Sequence, residues 1–263
     1  MRGEDGEIFK IEQRAYIASC RTLDSLDYLL RSKMNTEGFT GKAQAYAAAR
    51  PGYPAKAIDY IRSITPPVAV LADIGAGTGK FTELIAQYGY EIFAIEPNED
   101  MRKQLTISLA VYTNIKIIDS IAEAMPLPNH SVDTIICSQS LGWLDLEAFR
   151  KECRRIGKPG AVVISLFNKT PGDHPALNSH RLTSEQASEI FFINPEKRAF
   201  PNPILYTREK WLQKNASISD NPLPSDRGYD AHIDKINRMF ECCSINGFLR
   251  EDLVTMVYSE QLE

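Results

Sequence analysis

Residues 68–96 constrain the fold more than any other stretch of the chain. Val68 to Ala72 form an apolar run that ends in Asp73-Ile74 and is broken by Gly75-Ala76-Gly77-Thr78-Gly79. Phe81, Leu84, Ile85 and Tyr88 then recur at helical spacing up to Gly89, and Glu91 to Ile95 alternate toward Glu96. A short buried run, a helical period and a second short run predict a strand, a crossover helix and a parallel strand. The crevice of such a unit lies outside the carboxyl ends of its strands.

Each glycine has a physical reason to be there. A chain that leaves a strand and enters a helix within a few residues needs positive φ, which glycine adopts at little steric cost. A turn without Cβ atoms also lets a ligand approach the backbone. Glu96 stands where two ribose hydroxyls donate to a carboxylate, so the unit predicts an adenosine-type ligand. A dinucleotide fingerprint wants glycine at the position of Lys80. A phosphate loop wants glycine at Ile74 and Ser or Thr at Phe81, so that reading fails as well.

The remaining pattern, Asp73-x-Gly75-x-Gly77-x-Gly79 followed by Glu96, resembles the cofactor site of class I S-adenosylmethionine-dependent methyltransferases. The resemblance is to the broad small-molecule (methyltransferase type 11-like) kind and covers roughly residues 38–262. It implies an α/β fold: a Rossmann-like, doubly wound, seven-stranded sheet, mostly parallel with an antiparallel last strand, plus an N-terminal helical cap. It implies S-adenosylmethionine as cofactor and S-adenosylhomocysteine as product. It implies contacts from Asp73, Gly75, Ala76, Gly77 and Gly79 in the turn, and from Glu96 and Pro97 at the ribose. Phe39, Tyr46, Arg50, Pro51, Tyr53 and Pro54 resemble the segment that packs across the cofactor mouth, with Tyr46 and Arg50 at the methionine end. Arg50 suits a carboxylate because its guanidinium binds bidentately. Either residue would equally serve to hold the cap together. Met101 should face the adenine edge, and Ser120, Ile121, Ala122 and Glu123 should cover the ring. The family's usual acid or Thr is replaced by Ile121, which leaves the backbone and Glu123 for the adenine amine.

Ser138 and Gln139 follow the fourth strand, on the edge that faces the transferable methyl group. The family often has a histidine one residue before Trp143. Here Gly142 stands there, so no catalytic base is assigned, and Trp143 is read as a wall of the substrate site. The implied acceptor is an O or N nucleophile of a small molecule. Alternatives are a protein or peptide side chain, or a non-catalytic partner protein that only binds the cofactor.

With 263 residues, the chain is long enough for one substantial α/β domain with additions. Residues 1–37 read as an N-terminal helical extension, with Tyr16, Cys20, Leu23, Leu26 and Leu30 on one face. Residues 38–263 read as the methyltransferase domain, with a Pro-rich insertion at about 168–206 carrying His174, His180 and Arg198 as specificity candidates. A short helix is expected around Trp211, followed by the sixth strand, a last helix and a final strand at Leu253 to Tyr258. The 30 basic and 34 acidic residues argue against general nucleic-acid binding. No apolar run approaches the roughly 18 residues that span a bilayer, and the acidic start lacks a signal core. The expectation is a cytoplasmic monomer or homodimer without membrane partner. Five scattered cysteines and four distant histidines give no metal pattern.

Overall fold

The computed structural model describes residues 38–171, 182–219 and 221–262. The amphipathic segment from Tyr16 to Leu30, and with it His174 and His180, lies outside the described residues. The described chain opens with two helices. The Ala-rich α1 (Ala43–Ala49) ends at Arg50, which is extended (φ −66°, ψ 136°) because the following Pro51 disfavours the helical region. α2 (Ala55–Ser63) starts directly after Pro54.

The glycine-turn unit follows as read: β1 (Val70–Ile74), α3 (Lys80–Ala86) and β2 (Glu91–Ile95). Val68 stays exposed, so β1 begins two residues into the apolar run, where Asp133 Oδ2 accepts the Val70 N–H (2.8 Å). Asn98 caps α4 (Glu99–Ser108) by accepting the Met101 N–H (3.0 Å). β3 (Ile115–Ile118) and β4 (Val132–Ser138) come next. A short turn at Leu141–Trp143 leads to α5 (Leu146–Ile156), capped by Asp145. β5 (Gly157–Lys169), α6 (Ser184–Phe191) and β6 (Glu196–Tyr206) follow. α7 (Arg208–Ala216), α8 (Tyr229–Cys243) and β7 (Leu249–Gln261) complete the chain.

The seven strands lie in the order β3-β2-β1-β4-β5-β7-β6, with β7 antiparallel to both neighbours and the rest parallel. The chain winds outward from β1 to β3, then restarts on the other side of β1 with β4. That reversal is the switch point where open α/β sheets bind ligands. Register sets the geometry there. Ile74 is level with Ile95 and with Cys137, and Ile95 with Ile118. Gly75, Glu96, Ser138 and Asp119 therefore leave the sheet side by side.

Strand alternation divides the core between the two faces. Ala72, Ile74, Ile135 and Cys137 face Phe149, Cys153 and Ile156 of α5 and Phe191 of α6. Leu71, Ile136 and Leu166 face Ile58 and Ile61 of α2 and Phe81 and Ile85 of α3. A smaller core joins Tyr206, Trp211, Ile236, Phe240 and Leu249 beneath α7 and α8. Among the described residues, no helix is long and apolar enough to cross a membrane.

The sixth strand differs from expectation. It lies before Trp211, inside the stretch read as an insertion, and contains Pro201 and Pro203. β6 is the sheet edge, where proline's missing N–H costs little ladder bonding. Prolines that read as loop punctuation therefore sit in an extended strand of eleven residues.

Phe149 is fully buried, with its ring 5.5 Å from that of Phe191. Phe149→Ala should lower unfolding free energy by about 3–5 kcal/mol in urea titration. A loss below about 1 kcal/mol would show that α5 does not anchor this face of the sheet.

Candidate functional site

The glycine turn has all three glycines at positive φ: Gly75 at 66°, Gly77 at 58° and Gly79 at 89°. Two are also fixed by crowding. A Cβ on Gly75 would lie 2.6 Å from Ser140 Cβ, and one on Gly79 would lie 2.8 Å from Leu105 Cδ1. Gly77 is different: the nearest atom to its added Cβ is the Gly75 carbonyl oxygen at 3.9 Å. The turn thus packs tightly at both ends and opens at its middle.

Two buried acids flank that opening. Glu96 Oε2 accepts the Gly77 N–H (2.8 Å) and Oε1 accepts the Asn98 N–H (2.8 Å). One carboxylate therefore binds the turn to the start of α4. Each oxygen keeps a further lone pair for a ligand hydroxyl. Burial pushes the Glu96 carboxyl above its ordinary pKa, and the two backbone donors oppose that only in part. Asp73, at the end of β1, accepts from Thr82 Oγ1 (2.6 Å) through Oδ2, while its Oδ1 is buried without a protein partner. Desolvation raises Asp73 to about 7; the Thr82 hydrogen bond opposes the rise and the Glu96 charge adds to it. The Thr78 hydroxyl, within the turn, is a second buried atom without a partner.

The α1 segment covers this edge. Phe39 packs against Tyr46 (5.9 Å between centroids) and Trp143 (4.8 Å), and Arg50 lies over the Tyr46 ring at 5.0 Å. The Gly41 N–H donates to Asp100 Oδ2 (3.0 Å), and Asn98 Nδ2 donates to Thr40 Oγ1 (3.2 Å), so the segment is tied to the start of α4. Lys42 Nζ donates to the carbonyls of Ile218 (2.8 Å), Ser219 (2.6 Å) and Asn221 (2.6 Å), which ties the other side to the end of α7. Burial raises the Tyr46 pKa; the Arg50 charge opposes the rise and the Glu96 charge adds to it. Burial likewise raises Tyr53; the Tyr46 and Asp73 charges add to the rise, and the nearby Ser138 hydroxyl and Arg50 oppose it. Both phenols stay neutral at ordinary pH. They suit hydrogen bonding and exclusion of water rather than proton abstraction.

Tyr46, Arg50, Asp73, Gly75, Ala76, Gly77, Gly79, Glu96, Pro97 and Ser138 therefore converge on one edge. Gln139 follows with φ at 62°, an uncommon backbone for a residue with a side chain. Met101 is buried in the first turn of α4. Ser120, Ile121, Ala122 and Glu123 leave β3 beside Glu96, whose N–H donates to the Ile118 carbonyl (3.1 Å). Ser120 Oγ lies 3.0 Å from the carbonyls of both Ile121 and Ala124, which share its single proton, and Glu123 Oε1 accepts the Asp145 N–H (2.9 Å). Glu123 thus has one oxygen committed to the start of α5. Gly142 has a steric reason: a Cβ there would lie 2.5 Å from the Leu182 carbonyl oxygen. The chain entering α6 fills the space a side chain would need.

Sequence reasoning missed Thr78, Thr82 and Ser140 as contributors and named Tyr53 only as part of the covering segment. Thr82 left a legible signal, a polar residue between Phe81 and Ile85 on the buried face of α3. Ser140, whose hydroxyl donates to the Ile74 carbonyl, left none. Together these residues fit a ligand with vicinal hydroxyls for Glu96, an ammonium for Asp73 and a carboxylate for Arg50, whose Nε is buried and unpartnered.

Asp73 supplies a pH test on the ligand-free protein. The unfolded chain loses this proton near the ordinary value of 3.8, and the folded chain only near 7. Its contribution to stability is full below the lower value and is lost as pH rises through the upper one. Relative to Asp73→Asn, wild-type stability should fall between about pH 4 and about pH 7 in denaturant titrations. Parallel curves would show that Asp73 ionises normally.

Residues 72–165 match the model of a methyltransferase domain family. An uncharacterised methyltransferase-like protein of Schizosaccharomyces pombe is 30% identical over 142 residues, covering 53% of this chain and 54% of that one. A malonyl-[acyl-carrier protein] O-methyltransferase of Methylococcus capsulatus is 34% identical over 113 residues, covering 41% of each. The chain spans about half the length of the first curated relatives it matches. A solved candidate type II methyltransferase from Anaeromyxobacter dehalogenans superposes with a TM-score of 0.57 at 19% identity, covering 81% of this chain and 97% of that one. Matched core, sheet order and relatives agree: this chain is similar to class I S-adenosylmethionine-dependent methyltransferases, with the match centred on residues 72–165.

Proposed function

We propose that the protein transfers a methyl group from S-adenosylmethionine to an O or N nucleophile of a small molecule. The observation that carries the reading is the Glu96 carboxylate, which holds the Gly77 and Asn98 N–H groups beside the open middle of the glycine turn. The name of the Methylococcus capsulatus relative supports an oxygen acceptor.

Bound at this edge, S-adenosylmethionine supplies the electrophilic methyl group, and the protein's part is to bind, orient and exclude water. Glu96 holds the ribose hydroxyls, the glycine turn admits the ligand against the backbone, and Asp73 and Arg50 take the charged ends of the methionine. Phe39, Tyr46 and Trp143 form an aromatic wall on the acceptor side. An acceptor that is already a good nucleophile needs alignment more than a base, so the reading requires no catalytic base.

Calorimetry with S-adenosylmethionine tests it. The wild type should bind, and Glu96→Ala should bind at least tenfold more weakly, about 1.4 kcal/mol or more. No binding by the wild type at millimolar cofactor would sink the reading. Equal affinities would remove Glu96 from the ribose.

A further inference from the structure

Arg155, in the last turn of α5, has five N–H donors in a fixed fork, and all five are engaged. Nε donates to Glu152 Oε2 (2.8 Å), and Nη2 donates to Glu152 Oε1 (2.6 Å) and to the Met125 carbonyl (2.7 Å). Nη1 donates to the Leu127 carbonyl (2.7 Å) and to Asn129 Oδ1 (3.0 Å). Glu152, itself buried, accepts the Met125 N–H through Oε1 (2.7 Å). One residue of the loop, Met125, is thus held by its N–H and its carbonyl from the two members of a single ion pair.

Nothing in the methyl-transfer reading uses this pair, whose hydrogen bonds go to each other and to Met125, Leu127 and Asn129. What it grips is the loop that leaves β3 beside Glu96. The Met125, Leu127 and Ala122 side chains are buried against the core. Ser120 Oγ ties the carbonyls of Ile121 and Ala124, and Ala124 is the neighbour of the clamped Met125. The backbone path of residues 120–125 is therefore fixed at one end by Ser120 and at the other by the fork. A loop held only by its apolar side chains would keep its burial but not its carbonyl directions.

We propose that Glu152 and Arg155 are positioning residues for the adenine end of the cofactor, acting through residues 120–125. This rests on the cofactor reading above. A lysine at 155 would keep the charge but has three donors on a flexible stem, too few for five acceptors and without the planar fork. Arg155→Lys should therefore distort the loop while leaving the acceptor side intact.

The experiment is calorimetry with S-adenosylhomocysteine, together with methyl-transfer kinetics, on wild type, Arg155→Lys and Glu152→Gln. Trp211→Phe, in the separate small core beneath α7 and α8, serves as a destabilised control. The expected result is cofactor binding weakened tenfold or more in Arg155→Lys and by a smaller factor in Glu152→Gln, with cofactor KM raised and kcat little changed. Trp211→Phe should leave cofactor affinity within twofold of wild type. If Arg155→Lys fails to fold, Glu152→Gln decides alone, and a Kd within twofold of wild type overturns the proposal. Losses no larger than that of Trp211→Phe, or a fall in kcat with KM unchanged, also overturn it. A wild type that fails to bind S-adenosylhomocysteine would overturn the cofactor reading itself. A wild type that binds beside unaffected variants would overturn only the positioning role.

Discussion

The carboxylate of Glu96 is the interaction on which the rest of the site depends. It closes the glycine turn onto the end of β2 and fixes the residue that caps α4, with one backbone N–H on each oxygen. Those two donors do not repay its desolvation, because its pKa remains raised. Asp73 stands in the same condition, with one oxygen unpartnered and the Glu96 charge adding to its shift. Two buried acids at adjoining strand ends hold the ligand-free edge in an electrostatically costly state. A ligand bringing hydroxyl donors and positive charge relieves both at once. The site is preorganised for such a ligand by the register of β1, β2 and β4, which is set by core packing rather than by site chemistry.

The covering segment depends on that frame and closes it. Residues 39–50 are tied to the start of α4 through Thr40 and Gly41, and to the end of α7 through Lys42. Arg50 Nη2 donates to the Ser217 carbonyl (3.3 Å), on the same side as the Lys42 carbonyls. A buried lysine donating to three carbonyls is a charge-assisted lock on the turn that follows α7. The cap is thereby coupled to the segment after β6, although the two are far apart in sequence.

The stretch from β1 to Glu96 was legible because each step carries its own local signal. The apolar run, positive-φ glycines, helical period and terminal acid agree with one another. Ser138 was legible on that edge because it follows the carboxyl end of a strand, whereas Tyr46 was legible there only through resemblance. β6 was illegible for a definite reason. Its alternation is interrupted by Pro201 and Pro203, and only its place at the sheet edge makes them tolerable. Arg155 was illegible for another. In sequence it is one basic residue beside Arg154 near the end of a helix. The carbonyls that engage it come from a loop nearly thirty residues earlier.

Gly142 joins packing to chemistry. The Leu182 carbonyl stands where its Cβ would be, and the next residue, Thr183, begins α6 through a reciprocal capping box with Gln186. Any side chain at 142 would have to displace a capped helix start whose far end, Phe191, is buried against Phe149. The missing side chain is thus a consequence of how closely α6 lies on the sheet. In the proposed reading, the acceptor side would be left with Trp143, Phe39 and backbone in place of an ionisable group from this position. A wall of that kind aligns and desolvates but moves no proton. In the proposed reaction, rate must therefore come from the acceptor's own nucleophilicity and from the geometry in which it is held.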